Sequence, residues 1–453
     1  MDRLLLRISL LGALTGLMAG LLVTLFRFSI ELSQTWLLPD GQVGNYEALP
    51  GWLRFLLPVA GALLLALIFE RLPAERRAVG VVHLLDYLRF RKQRLPFTNA
   101  IVQFFGGLIA IVSGNSVDRE GPGVHLGAAT ASLIRKEIKL SEDESYLLAA
   151  AGGAAAIAAA FNTPLAGVIF VIEVLRVRYA INNIVPVIVA SVVGAIIGRL
   201  VYGPSPAFDV PALSIGSLTE LPVMLLMGVI IGLLAAAFIY AVQTTAHKTI
   251  SWRPLYGFVA AGTITGVLAQ WAPEIMGLSY DALSRIFQHE LGLQTLLLVV
   301  FAKLVATAVS VGVRLPGGLI GPSLVMGGAL GGFIELMFID WFPSYVGSVG
   351  LYAMIGMVAM MGAILRAPLA ALVALIELTG NLNITLPGMI AVVSAEIATR
   401  ALVGDMSAFT AMLKVQHERE ASQQKVEEPE RKENSEADEQ EQAEAVNKSQ
   451  GKD

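Results

Sequence analysis

Apolar residues run along this chain in long blocks, without the strict alternation of strands. The segment IVPVIVASVVGAIIG fills 184–198, and LPVMLLMGVIIGLLAAAFIYAV fills 221–242. The second block holds 22 residues without a charge, enough to cross a bilayer as a helix. Read this way throughout, the chain predicts spans at 8–33, 51–70, 97–113, 145–160, 164–175, 184–201, 221–242, 254–271, 294–312, 317–338, 350–364, 367–379 and 386–403. The expected fold class is an all-α polytopic membrane protein. Several spans are too short for a full crossing. Gly or Pro interrupts others, at Gly121-Pro122, Thr163-Pro164, Pro316-Gly317-Gly318, Gly321-Pro322 and Ala367-Pro368. Such breaks allow helix ends to point into the membrane interior where they line a cavity.

The pattern also repeats. FNTPLAGVIFVIE (161–173) matches LRAPLAALVALIE (365–377), pairing Pro164 with Pro368 and Glu173 with Glu377. Gly152 and Gly356 keep the same spacing. EGPGVHLG (120–127) echoes IGPSLVMG (320–327), pairing Gly121, Pro122 and Gly127 with Gly321, Pro322 and Gly327. Two matches in one order predict a duplicated domain over 1–415, with halves at about 1–205 and 206–415. Transporter repeats commonly enclose a midplane site.

Composition agrees: 453 residues are 55% hydrophobic and only 15% charged. Arg3 and Arg7 precede the first span; Arg71, Arg76, Arg77, Arg89, Arg91, Lys92 and Arg94 crowd the loop after the second. The positive-inside rule puts both stretches, and hence the N-terminus, in the cytoplasm. The first apolar run is of full span length, so no cleavable signal peptide is expected. From His417 onward the chain carries twelve acidic and six basic residues and almost no large apolar one. Residues 416–453 therefore read as a disordered acidic cytoplasmic tail. There is no cysteine, and the five histidines show no metal-ligand spacing. No cofactor, metal, nucleic-acid partner or enzymatic activity is expected.

Pro suits a helix's first turn, and Gly permits close approach of the backbone to a ligand. Gly121-Pro122 and Gly321-Pro322 thus read as two helix starts within the membrane. Each start presents unpaired N–H groups and about half a positive charge, and two together would hold an anion without a basic side chain. Close helix packing on small residues is the alternative. Glu120 lies beside one start. As a carboxylate it would compete with an anion there; its alternative is a salt bridge to Arg119.

SGNSVDREGPGVHLG, AAAGGAAAIAAAFNTPLAGVIFVIE, LPGGLIGPSLVMGGALGG and LRAPLAALVALIELTGN resemble the CLC family of chloride channels and chloride/proton antiporters, in the family's order across 8–415. The family's GREGP motif appears as Asp118-Arg119-Glu120-Gly121-Pro122, and its GxFxP motif as Gly318-Leu319-Ile320-Gly321-Pro322. The resemblance implies two inverted repeats of tilted and broken helices. It also implies a homodimer with one pore per subunit in the inner (plasma) membrane, and chloride or another small anion as the transported ligand. Glu120 matches the family's gate, and the Leu319 and Ile320 amides match its central anion ligands, with Gly318 and Gly121 beside them. No cystathionine-synthase-type domain pair follows.

Three departures qualify this. Val79 replaces the family's anion-binding serine, and Phe409 replaces its anion-binding tyrosine. A hydrogen bond to a charge contributes about 1.5–3 kcal/mol, so the central site should bind anions more weakly. Val174 holds the place of the internal proton-relaying glutamate, and Glu173 lies one position away, about 100° round the helix. These features favour a voltage- or pH-sensitive chloride channel gated by Glu120, with a chloride/proton antiporter as the alternative.

Overall fold

The computed structural model describes residues 3–90, 95–205, 208, 213–341 and 347–421. Arg91, Lys92 and Arg94, and the expected tail beyond 421, lie outside the described residues.

The first half runs through α1 (Arg3–Leu37), α2 (Gly51–Arg71), α3 (Gly80–Phe90), α4 (Phe97–Val112), α5 (Glu120–Glu137), α6 (Glu142–Phe161), α7 (Pro164–Glu173) and α8 (Ile181–Tyr202). The second runs through α9 (Leu221–Lys248), α10 (Pro254–Leu268), α11 (Tyr280–Phe287), α12 (Leu293–Gly312), α13 (Ile320–Trp341), α14 (Leu351–Leu365), α15 (Pro368–Thr379) and α16 (Thr385–Val403). A last helix, α17, covers 408–421. Each helix of the first half has its counterpart eight helices later, so the duplication extends beyond the two motifs that announced it. Among the described residues eight helices are long and apolar enough to cross a membrane.

Local sequence sets the breaks. α7 and α15 start with Pro in their first turn, where its missing N–H costs nothing. The helices before them both stop on a residue in the left-handed conformation, Asn162 (φ 61°) and Arg366 (φ 59°). Ser141 opens α6 with a capping box, its hydroxyl accepting from Glu144 N at 3.2 Å.

The core is built on reciprocal glycine contacts. A Cβ on Gly127 would strike the carbonyl oxygen of Gly152, and one on Gly152 that of Gly127. Gly327 and Gly356 stand in the same relation. The repeat glycines thus let α5 lie against α6, and α13 against α14, nearly backbone to backbone. The halves are also laced together by their glutamates. Glu173 accepts from Leu369 N (3.1 Å) and Ala370 N (2.8 Å); Glu377 accepts from Leu165 N (2.9 Å) and Ala166 N (2.8 Å). Each caps the first turn of the other half's helix, a two-fold exchange across α7 and α15.

Near the C-terminus the chain departs from expectation. α17 runs through 416, where the sequence suggested that order ends, and on to 421. His417 Nε2 lies 2.6 Å from Asp86 Oδ1 on α3, docking this helix against the first half.

Candidate anion site between two helix starts

The loops before α5 and α13 meet at the centre of the molecule. Each is drawn tight in the same way: Val117 N donates to Asn115 O at 2.9 Å, and Gly317 N to Leu315 O at 2.7 Å. They pair through Asp118 N donating to Gly318 O at 3.2 Å, an isolated antiparallel bridge. A Cβ on Gly121 would lie 2.8 Å from Gly318 Cα, so glycine is required for the two starts to approach this closely. Both helix starts expected from the Gly-Pro pairs are therefore present, and they converge.

The group between them is a side chain that the sequence did not single out. Asp118 Oδ1 accepts from Gly121 N at 2.9 Å, and Asp118 Oδ2 from Gly321 N at 2.8 Å. Its carboxylate thus bridges the first turns of α5 and α13 and is fully buried. The available signal was an acid three residues before Gly121, an N-cap spacing. Its second contact joins positions far apart in the chain and was not readable from spacing.

Glu120 lies beside this arrangement. Its side chain is buried, and Oε1 accepts from Arg119 Nε at 3.2 Å, so the salt bridge raised as the alternative is formed. Arg119 also reaches Glu31 Oε1 at 3.5 Å and places its guanidinium 5.3 Å from the Tyr280 ring centroid. Glu120 Oε2 stays close to the second helix start, 3.4 Å from where a Cβ on Gly321 would stand.

From the other side a vestibule of about 1220 Å³ leads to the helix starts. Its inner end is lined by Val79, Gly80, His83, Gly121, Gly318, Leu319 and Phe409. Five of the expected anion-site residues, Val79, Phe409, Gly121, Gly318 and Leu319, thus share one cavity. Ile320 is buried as the first residue of α13 and lies outside the lining. Val79 and Phe409 present apolar surface to this cavity, beside the His83 ring and the backbone of Gly121, Gly318 and Leu319. The outer part carries Arg76, Arg77, Arg253, Arg314 and Arg419 against Glu70, Glu75 and Glu420, an excess of positive charge that raises the local anion concentration.

Val174 and Glu173 fall outside this lining. Val174 is buried at the C-terminal end of α7, its carbonyl oxygen accepting from Arg89 Nη2 at 3.3 Å. Glu173 is committed to the first turn of α15. A titratable group does face the vestibule elsewhere: His83, whose Nδ1 lies 2.9 Å from Nε2 of the buried His125 on α5.

A family model described as voltage gated chloride channel matches residues 61–400. The chain belongs to the CLC family. The H(+)/Cl(-) exchange transporter ClcA of Vibrio cholerae is 31% identical over 408 residues, covering 87% of this CLC chain and 86% of that protein. ClcA of Cronobacter sakazakii is 29% identical over 445 residues and 93% of each chain. Among solved structures, a slow cyanobacterial Cl-/H+ antiporter superposes with a TM-score of 0.80 at 23% identity, over 90% of this chain and 97% of that one. A CLC-type fluoride/proton antiporter gives 0.75 at 21%, over 91% and 99%. The fold is that of CLC transporters: a multi-pass, all-helical membrane protein built of two inverted repeats. This CLC protein transports chloride. Both curated relatives are named as exchange transporters, whereas the sequence, through Val174, favoured a channel.

Proposed function

We propose that this CLC protein exchanges chloride for protons, as a homodimer in the inner membrane with both termini cytoplasmic. The observation that carries the reading is its similarity, across most of its length, to proteins named as H(+)/Cl(-) exchangers. The geometry supports it. Gly121, Gly318 and Leu319 line the vestibule, while Glu120, buried beside them, is not part of that lining, which fits a barrier at the helix starts. Exchange requires such a barrier, with a carboxylate that can accept a proton behind it.

Val174 supports the second reading, a passive chloride channel, because it offers no proton acceptor at the family's usual position. In the exchange reading, His83 takes the proton from the vestibule and passes it to His125. His125 lies five residues along α5 from Glu120, a rise of about 7.5 Å. Asp86 lies three residues after His83 on α3 and is held by His417, and the vestibule arginines line the same cavity as His83.

The test is reconstitution into liposomes with chloride and proton movement recorded together. Exchange predicts that a chloride gradient drives uphill proton movement at a fixed ratio. Currents that reverse at the chloride equilibrium potential, with no proton movement, would make the protein a channel.

A further inference from the structure

We propose that Asp118 is a tethered anion that occupies the site between the two helix starts and competes with chloride for it. The inference rests on the reading that the transported anion passes between α5 and α13. The amides of Gly121 and Gly321, one from each half, are the donors an anion would use there, and both are directed at the Asp118 carboxylate, at 2.9 and 2.8 Å. Each helix start supplies about half a positive charge, so one carboxylate neutralises the pair. Among the described residues Asp118 forms no ion pair. Arg119 is engaged by Glu31 and Glu120, and the buried Lys303 ammonium donates to Ile275 O, Gly277 O and Ser279 Oγ. The helix starts are its direct counter-charge, and Lys303 acts on it only at longer range.

Asp118 differs from Glu120 in its freedom to move. Its backbone is pinned to Gly318 O, and its side chain is one methylene shorter. Glu120 has the longer arm, and Arg119 holds it to one side of the helix starts. Chloride reaching Gly121 and Gly321 must displace the Asp118 carboxylate or wait for its protonation. Glu120, Tyr280 and Arg119 are the ionisable groups crowded at the same corner. A competitor that fills a site about nine-tenths of the time lowers apparent affinity roughly tenfold.

The bland alternative is that Asp118 is only a helix cap shared by α5 and α13. In that case its removal costs stability and leaves anion binding as it was. The deciding experiment is isothermal titration of the detergent-purified full chain with chloride, alongside chloride efflux from liposomes, for the parent, Asp118→Gly, Asp118→Asn and Glu120→Gln. Both Asp118 variants are expected to bind chloride about tenfold more tightly than the parent and to pass it faster. Glu120→Gln, which leaves Asp118 in place, should change binding by less than about threefold on the same arithmetic. Unchanged chloride affinity in a monodisperse Asp118→Asn or Asp118→Gly protein would overturn the proposal. So would a Glu120→Gln variant that gains as much affinity as they do. Should Asp118→Gly fail to fold, the near-isosteric Asn variant decides. A parent that moves no chloride in liposomes counts against the transport pathway, and the titration still decides the role of Asp118.

Discussion

Replacing Glu377 with Ala removes the acceptor of two amides, Leu165 N at 2.9 Å and Ala166 N at 2.8 Å, at the start of a helix in the opposite half. A hydrogen bond to a charged group contributes about 1.5–3 kcal/mol. Both glutamates are half-buried, so water can recover part of this, and the expected cost is about 2–4 kcal/mol. Gln retains one oxygen and turns an NH₂ towards the second amide, so Glu377→Gln should cost about half as much. Glu173→Ala and Glu173→Gln should follow the same ladder, because Glu173 holds Leu369 N and Ala370 N at 3.1 and 2.8 Å. Thermal unfolding of the detergent-solubilised protein, followed by the monodisperse fraction after heating, should drop by roughly 4–10 °C for the Ala variants. Proton movement per chloride should be unchanged in the Gln variants that survive reconstitution. The reasoning is refuted if Glu173→Gln leaves thermal stability untouched and abolishes proton movement, which would return Glu173 to the proton pathway. It is equally refuted if only one of the two glutamates matters for stability.

Phe409→Tyr restores a hydroxyl at the inner end of the vestibule and should raise chloride affinity about tenfold or more, read by titration; no change would place the ring away from the anion. His83→Gln should lower proton movement per chloride while chloride efflux continues, and an unchanged ratio would rule the histidine pair out as the proton route. Truncation after Ala421 should leave transport as it is, whereas truncation after Gln416 removes the His417 contact with Asp86 and should lower thermal stability by a few °C, for a loss of about 1–2 kcal/mol. Equal behaviour of the two truncations would make that contact dispensable.

The long helices were legible because lipid demands unbroken apolar runs, and α8 and α9 announce themselves by that rule. The convergent helix starts were legible because Gly-Pro has few structural meanings inside a membrane. Helices α3, α5 and α11 lie outside every predicted span. They are short or mix polar residues with small ones, and α5 is buried among other helices, so lipid imposes no pattern on it. Glu173 and Glu377 were visible as a matched pair, but their role depends on which amides the other half brings to them. Asp118 was missed for the same reason: its neighbour Gly121 is close in sequence, but Gly321 is supplied by the fold.

The exchange of caps between α7 and α15 also has a consequence for how the chain is made. When Leu165 and Ala166 leave the ribosome, their acceptor is still 212 residues away from Leu165 in the unmade chain. At 5–20 residues per second, that leaves the start of α7 without its carboxylate for roughly 10–40 s. During that interval Glu173 likewise has no amides to receive. The first half therefore has one helix end open and one carboxylate unmatched until residues 369–377 are made, Leu369 and Ala370 serving Glu173 and then Glu377 serving Leu165 and Ala166. Co-expressing the halves as separate polypeptides, divided between α8 and α9, should accordingly yield an assembly in which neither fragment accumulates without the other.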